Sequence, residues 1–250
     1  MTDFPESGLT DFSAMKRFNQ SVFLVLLAAL VLLLVVQPQV VNLPKGQFII
    51  SCLTSLLQVV AIYVLAEDRR LRVSAWVFGL PTIIAIWSRH YIVEESQETA
   101  IVVAHGLACV LLICTAVLIL HYVLTHEITT DSVIGAICAY LLIGVALGQL
   151  CFVVETLQPG AYHTSDLLAK EFEDPDSRSA LLMYFSFTTL TTTGYGDIVP
   201  NRPISRTLAW MESAAGQLYL AVLVAGLVSM HANKRSWAGS GAGGNRKHDD

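Results

Sequence analysis

The sequence predicts an all-α membrane protein with six transmembrane helices and one re-entrant helix. Hydrophobic residues make up 54% of the 250 residues and charged residues only 14%, whereas soluble domains are roughly half apolar and one quarter charged. Six long apolar runs each approach the ~20 residues that a helix needs to cross ~30 Å of hydrocarbon. The net charge of -5 comes without a basic stripe, so nucleic acid is not expected as a partner.

The six predicted spans are separated by short polar segments. Their bounds are 21–36, 48–66, 73–93, 99–124, 132–156 and 205–230. No small-residue cleavage site follows the first run, so we expect a retained signal anchor and not a cleaved signal peptide. A seventh apolar segment, 180–190, is too short to cross the bilayer.

Basic residues predict the orientation of the spans. They precede the first span, separate the second from the third and follow the sixth, at Lys16, Arg17, Arg69, Arg70, Arg72, Lys234, Arg235, Arg246 and Lys247. By the positive-inside rule both termini are cytoplasmic, in a multi-pass protein of the cell membrane. The connection 157–203 is then external, and segment 180–190 enters the membrane from that side and returns.

The sequence TTTGYGD, residues 191–197, follows this short segment. Non-helical backbone at membrane depth is tolerated only where protein buries it or where it lines a water-filled path. Gly194 and Gly196 can adopt backbone conformations closed to other residues, so successive carbonyls can turn toward one axis. Stacked carbonyls, completed by the Thr192 hydroxyl, would replace the water shell of a monovalent cation.

The TTTGYGD segment resembles the selectivity filter of potassium channels, in the superfamily of tetrameric P-loop cation channels. The usual filter core is Thr-Val-Gly-Tyr-Gly, and its carbonyl rings coordinate dehydrated K+. The resemblance implies that Thr192, Thr193, Gly194, Tyr195 and Gly196 are the filter positions, with K+ held at the first four, and that the protein is a homotetramer. Thr193 replaces the usual valine, and both residues are β-branched and stiff.

The preceding sequence, SALLMYFSFTTL, is similar to the pore helix of the same channels. The resemblance implies that Tyr184, Phe185, Thr188 and Asp197 support the filter, the two aromatic residues as a cuff. Phe185 lacks the donor with which a tryptophan holds the filter tyrosine in some relatives. Thr188 stands where one bacterial channel has a buried glutamate paired with the aspartate after the filter, so inactivation by that pair is not expected. The sequence DPDS at 174–177 predicts the start of this helix.

The sixth span is expected to be the inner helix of the pore. Gly216 lies twenty residues after Gly196, where hinge glycines occur in the family. Residues at helical spacing after it would line the inner cavity and gate: Gln217, Leu220, Ala221, Val224 and Val228. The alternative is that Gly216 only allows close helix packing, as expected for GVALG at 144–148.

The resemblance divides the chain into four parts. They are an N-terminal cytoplasmic segment 1–20, a four-helix domain 21–130 similar to a voltage sensor, a pore domain 131–232 and a flexible tail 233–250. In voltage-gated relatives the fourth span carries arginines, each worth about 2.3 kcal/mol per 100 mV. Residues 100–124 contain no lysine or arginine, and only His105 and His121 could carry charge there. The chain is therefore identified as a six-span bacterial type without voltage-sensor arginines, and the fourth span is not expected to sense voltage.

Several other patterns have ordinary structural explanations. The run GSGAGG at 239–244 follows no strand, so we expect a flexible tail and no dinucleotide site. Helix packing is the expected role of the five cysteines, Cys52, Cys109, Cys114, Cys138 and Cys151. A solvated turn and cap is favoured over a proton or metal sensor for His126, Glu127 and Asp131. Arg89 and His90 are expected to snorkel, and Glu155 and Glu212 to pair with such residues or with each other.

The combined signals predict passive, K+-selective conduction through a tetrameric pore in contact with membrane lipids. K+ is the permeant ion, and no cofactor is expected. Two alternatives remain: a non-conducting regulatory or structural subunit, and a subunit of a potassium transporter. No nucleophile, base and orienting group occur together, so an enzyme is not expected. An acidic external mouth is predicted from Glu155, Asp166, Glu171, Glu173, Asp174, Asp176 and Asp197, which outnumber Lys170, Arg178 and Arg202.

Overall fold

The computed structural model describes residues 7–64, 69–88, 97–125 and 130–242, with side chains described in 22–63, 76–77, 79–88, 99–125 and 131–226. Within these ranges it contains eight helices and two short strands. In chain order they are α1 Ser7–Val40, α2 Gly46–Val64, α3 Arg69–Ser88, α4 Gln97–Thr125, α5 Thr130–Leu157, β1 Tyr162–Thr164, α6 Asp166–Glu173, α7 Pro175–Leu190, β2 Ile198–Pro200 and α8 Pro203–Ala242. The predicted all-α membrane class is confirmed.

Among the described residues, five helices are long and apolar enough to cross a membrane. Their apolar stretches are Val22–Val40, Gly46–Tyr63, Thr99–Thr125, Asp131–Leu157 and Pro203–Gly226. Of the third predicted span, 73–93, residues 89–93 fall outside the described residues, and the apolar stretch found in α3 is Gly79–Ser88. The six-span prediction is therefore confirmed for five spans, and a sixth span stays a prediction.

Helix α5 is the centre of the packing. It contacts α1, α4, α7 and α8, and its buried residues include Leu142, Val145 and Ala146. A Cβ at Gly144 would lie 2.7 Å from the Phe187 ring, and one at Gly148 would lie 2.8 Å from the Met183 sulfur. The glycines of GVALG therefore let α7 approach α5 closely, which confirms the predicted role of these small residues.

Two smaller predictions need correction. Only Cys109, Cys138 and Cys151 are buried, whereas Cys52 and Cys114 are exposed in the single chain; all five are free thiols. The expected tail from 233 onward begins as helix, because α8 continues to Ala242. The expectations for Arg89, His90, His126 and Glu127 fall outside the described residues.

Candidate functional site

Helix α7 begins and ends where the local sequence dictates. The Asp174 carboxylate caps its first turn by accepting the backbone N–H of Ser177 at 2.9 Å, and Pro175 occupies the first helical position, where its missing N–H costs nothing. The helix ends at Leu190, and the Thr191 N–H still donates to the Phe187 carbonyl at 3.0 Å. The predicted DPDS start is confirmed.

The backbone of the TTTGYGD segment alternates in handedness. Thr192, Gly194 and Gly196 have φ of 59°, 54° and 79°, whereas Thr193 and Tyr195 are not among the residues with positive φ. Such alternation turns successive N–H groups to one side, so the carbonyls face the other. Positive φ is rare for a β-branched residue such as Thr192, and strained backbone of this kind clusters at ligand sites.

The N–H side of the segment faces the end of α7. The Thr188 carbonyl accepts the N–H groups of Thr193 at 2.8 Å and Gly194 at 3.1 Å. Thr188 therefore supports the segment as predicted, although it acts through its backbone. The opposite side is open, since all residues from 191 to 196 are exposed in the single chain.

The three threonines contact one another at the end of the segment that adjoins α7. The Thr191 and Thr193 hydroxyls lie 2.9 Å apart, and the Thr192 hydroxyl donates to the Thr191 carbonyl at 2.7 Å. The Gln217 amide of α8 also donates to the Thr192 hydroxyl, at 3.1 Å. The hydroxyl that Thr193 carries in place of valine thus has a partner of its own.

Tyr184 and Asp197 hold the outer end of the segment. The Tyr184 hydroxyl donates to the Asp197 carboxylate at 2.8 Å, and its ring lies parallel to that of Tyr195 at 6.3 Å between centroids. Phe185 lies on another face of α7, in a buried cluster with Tyr162 and Ile198, so its predicted place in the cuff stays a prediction. It is buried and packs edge-on against Tyr162, with 5.1 Å between ring centroids, because consecutive helical residues face different sides.

A two-stranded antiparallel sheet, which the sequence did not reveal, flanks Asp197. Strand β1 pairs with β2 in the register Tyr162 to Pro200 and Thr164 to Ile198. The Ser165 N–H donates to the Asp197 carbonyl at 2.8 Å. Each strand has only three residues, and the pairing joins distant parts of the chain, so no local pattern indicates it.

Glu155 braces this sheet and does not line the mouth. It is 5% exposed, and its carboxylate accepts the N–H groups of Gly160 and Tyr162, each at 2.9 Å. The predictions that it adds charge to the mouth or pairs with Glu212 are therefore wrong. Asp166, Glu171, Glu173 and Asp174 are exposed as expected.

Gly216 of α8 lies directly against the end of α7. A Cβ at this position would collide with the Leu190 carbonyl oxygen, and α8 runs through it without interruption. This contact favours the packing alternative over the hinge. The residues Gln217, Leu220, Ala221 and Val224 are exposed in the single chain, and the side chain of Val228 falls outside the described ranges.

Glu212 lies one turn before Gly216 and is almost completely buried, at 2% exposed. Its carboxyl contacts the Ser186 hydroxyl of α7 at 2.5 Å, and the same hydroxyl lies 2.8 Å from the Gly144 carbonyl of α5. Glu212 thus lies at the junction of three helices, and its expected pairing with Arg89 or His90 falls outside the described residues. A lone carboxylate in an apolar span is the signal that could have identified it.

Comparison with known proteins identifies one part of the chain. Residues 150–232 match the family described as "Ion channel", a stretch that begins in α5 and includes α7, the TTTGYGD segment and much of α8. No curated protein matches the chain, and no solved structure does.

Proposed function

We propose that this chain is a potassium channel that conducts K+ passively through a homotetrameric pore, and the proposal proceeds from the match of residues 150–232 to the family described as "Ion channel". An ion channel domain in a multi-pass membrane protein supports passive ion movement. The selectivity for K+ and the fourfold assembly are proposals, and they rest on the geometry of the TTTGYGD segment.

The observation that carries the proposal is the alternating backbone from Thr192 to Gly196. It directs the N–H groups toward Thr188 and the carbonyls toward the exposed side. Carbonyl oxygens stacked in this way can replace the hydration shell of a cation of suitable size. Helix α7 ends at this point, so its partial negative charge also favours a cation.

One chain offers only one such segment, which cannot surround an ion. Unpaired backbone groups facing lipid cost several kcal/mol each, so the open side must face other copies or a water-filled axis. Helix α8 is available for contacts with other copies, since only 11% of its apolar stretch is buried within the chain. Fourfold cyclic assembly would cover both the open side of the segment and part of α8. The face of α8 that bears Gln217 and Leu220 would then line the cavity.

The remaining features of the proposal follow from charge. We place the protein in the cell membrane with both termini in the cytoplasm, because the basic residues cluster on that side. The exposed acids of α6 then surround the external mouth and concentrate cations. No charged fourth helix gates the pore, since His105 of α4 bonds to its own helix at Ile101, 2.8 Å away, and stacks on Phe152.

The experiment is ion flux from purified protein in liposomes, with K+ and Na+ gradients in parallel. We expect selective K+ flux, abolished in Gly194→Ala. A Cβ added at Gly194 would meet no atom of the chain within 4 Å, but the φ of 54° is strained for alanine, so within one chain this change affects the backbone conformation. The matched control is Gly106→Ala, because a Cβ added at Gly106 would also meet open space but lies in helix α4, where alanine is favourable.

The outcomes separate the alternatives. Equal K+ and Na+ flux would refute selectivity, and absence of flux would favour the non-conducting subunit. Potassium uptake that requires a second protein would favour the transporter subunit.

A further inference from the structure

The contacts of Glu212 indicate whether its carboxyl group is protonated. The Ser186 hydroxyl lies within hydrogen-bond distance of two acceptors, the Glu212 carboxyl at 2.5 Å and the Gly144 carbonyl at 2.8 Å. A serine hydroxyl has one proton to donate. If Glu212 were ionised, Ser186 could donate to only one of these two acceptors, and the other contact would lack a proton. If Glu212 is protonated, it donates to Ser186, which donates to Gly144, and both contacts are hydrogen bonds.

The surroundings of Glu212 also favour the uncharged form. Its second oxygen, Oε2, is buried and has no partner, and no cation of the described residues offsets its charge. The titratable groups that interact electrostatically with it among the described residues are Tyr140 and Cys151 of α5 and Tyr162 of β1. All three are neutral or negative, and none can compensate a carboxylate. An isolated buried charge is costly, whereas a neutral, hydrogen-bonded carboxylic acid is tolerated.

We propose that Glu212 is a protonated positioning residue that joins α5, α7 and α8 through Ser186 and thereby holds the ion-binding segment in its conducting shape. The proposal rests on the proposed function, because it assigns Glu212 a role in that same pore. Glu212 touches no ion and acts only through its neighbours.

The route from Glu212 to the segment runs along one face of α8. The next residue, Ser213, donates its hydroxyl to the Thr189 carbonyl at 3.0 Å. Gly216 then abuts the Leu190 carbonyl, and Gln217 donates to the Thr192 hydroxyl. Glu212 therefore begins a series of contacts that ends at the first cation-facing residue.

Loss of the proton has a defined consequence. Ser186 can then donate to Gly144 or to Glu212 but not to both, and α8 carries a buried charge beside α7. The junction is intact at low pH, where Glu212 keeps its proton, and weakens as pH rises and the proton is lost. The selectivity for K+ over Na+ should therefore also decline as pH rises.

The test combines flux with infrared spectroscopy of the tetramer in lipid. In the unmutated protein we expect the K+/Na+ flux ratio to fall about tenfold between about pH 7 and about pH 10, the factor that corresponds to one hydrogen bond of ~1.4 kcal/mol. A protonated-carboxyl band should disappear over the same range.

Two variants separate a proton-dependent role from simple packing. Glu212→Gln keeps an uncharged donor to Ser186, so it should retain selectivity, show less than about a twofold change with pH, and lack the carboxyl band. Ser186→Ala should lower selectivity at every pH while the band persists, because Glu212 stays buried.

The proposal is wrong if the unmutated protein shows no protonated-carboxyl band at neutral pH, or if Glu212→Gln keeps the pH dependence. If Glu212→Gln does not assemble, the band and the pH profile of the unmutated protein decide alone. A protein that conducts no K+ but retains the band would refute the proposed function and leave the proton assignment standing.

Discussion

Replacing Gly216 with alanine should distinguish a packing contact from a hinge. The new Cβ would collide with the Leu190 carbonyl oxygen and lie 3.0 Å from the carbonyl carbon. Backbone atoms cannot rotate aside as a side chain can, so α7 and α8 would have to separate. Overpacking of this kind costs about 1–3 kcal/mol, which opposes the ~1 kcal/mol that alanine gains over glycine inside a helix.

Gly226→Ala is the matched control on the same helix. The nearest atom to a Cβ there is a Leu124 methyl at 3.9 Å, so the variant keeps the helix-propensity gain without a clash. We expect Gly216→Ala to be less stable than Gly226→Ala by about 1–3 kcal/mol, measured by reversible unfolding in mixed detergents. Gly216→Ala should also lose selectivity, because Leu190 adjoins Thr191.

A hinge gives a different pattern. If Gly216 only supplied flexibility, both variants would gain similar stability, and Gly216→Ala would open less often but remain selective for K+. Equal stability of the two variants would therefore refute the packing argument.

Three further predictions concern the ion path. Thr193→Val should keep K+ selectivity, since valine is also β-branched, but should change how long the pore stays open because the 2.9 Å contact to Thr191 is lost; single-channel records would test this. Neutralising Glu171 and Glu173 together should lower conductance at low salt and have little effect at high salt, because screening shortens to ~10 Å at 0.1 M; unchanged low-salt conductance would exclude steering by these groups. Conductance should vary weakly with voltage, and a steep curve that flattens in His121→Ala would show that α4 senses voltage.

Features set by neighbouring residues could be read from the sequence. Length and apolar composition predicted the spans, because a helix must match the bilayer whatever it packs against. The start of α7 followed from Asp174 and Pro175, whose capping roles need only the next turn. The boundary of α8 was less accurate, because no proline or strong cap stops the helix before Ala242.

Features that depend on distant contacts could not be read in this way. Glu155 and Glu212 look alike in the sequence, since each is a lone acid in an apolar stretch. Glu155 caps the turn before β1 by accepting two backbone N–H groups, whereas Glu212 contacts Ser186 of α7. Only the tertiary arrangement separates a brace on the two-stranded sheet from a carboxyl at a helix junction.

The TTTGYGD segment is held at both ends by elements outside the motif. At the outer end, Ser165 beside strand β1 binds the Asp197 carbonyl, and Glu155 braces that strand. At the inner end, Gln217 of α8 binds Thr192. Because Thr192 adopts a strained backbone conformation and such strain persists only where the surroundings enforce it, the motif alone does not suffice to position the carbonyls. Selectivity should therefore be as sensitive to the supports of the segment as to its own residues.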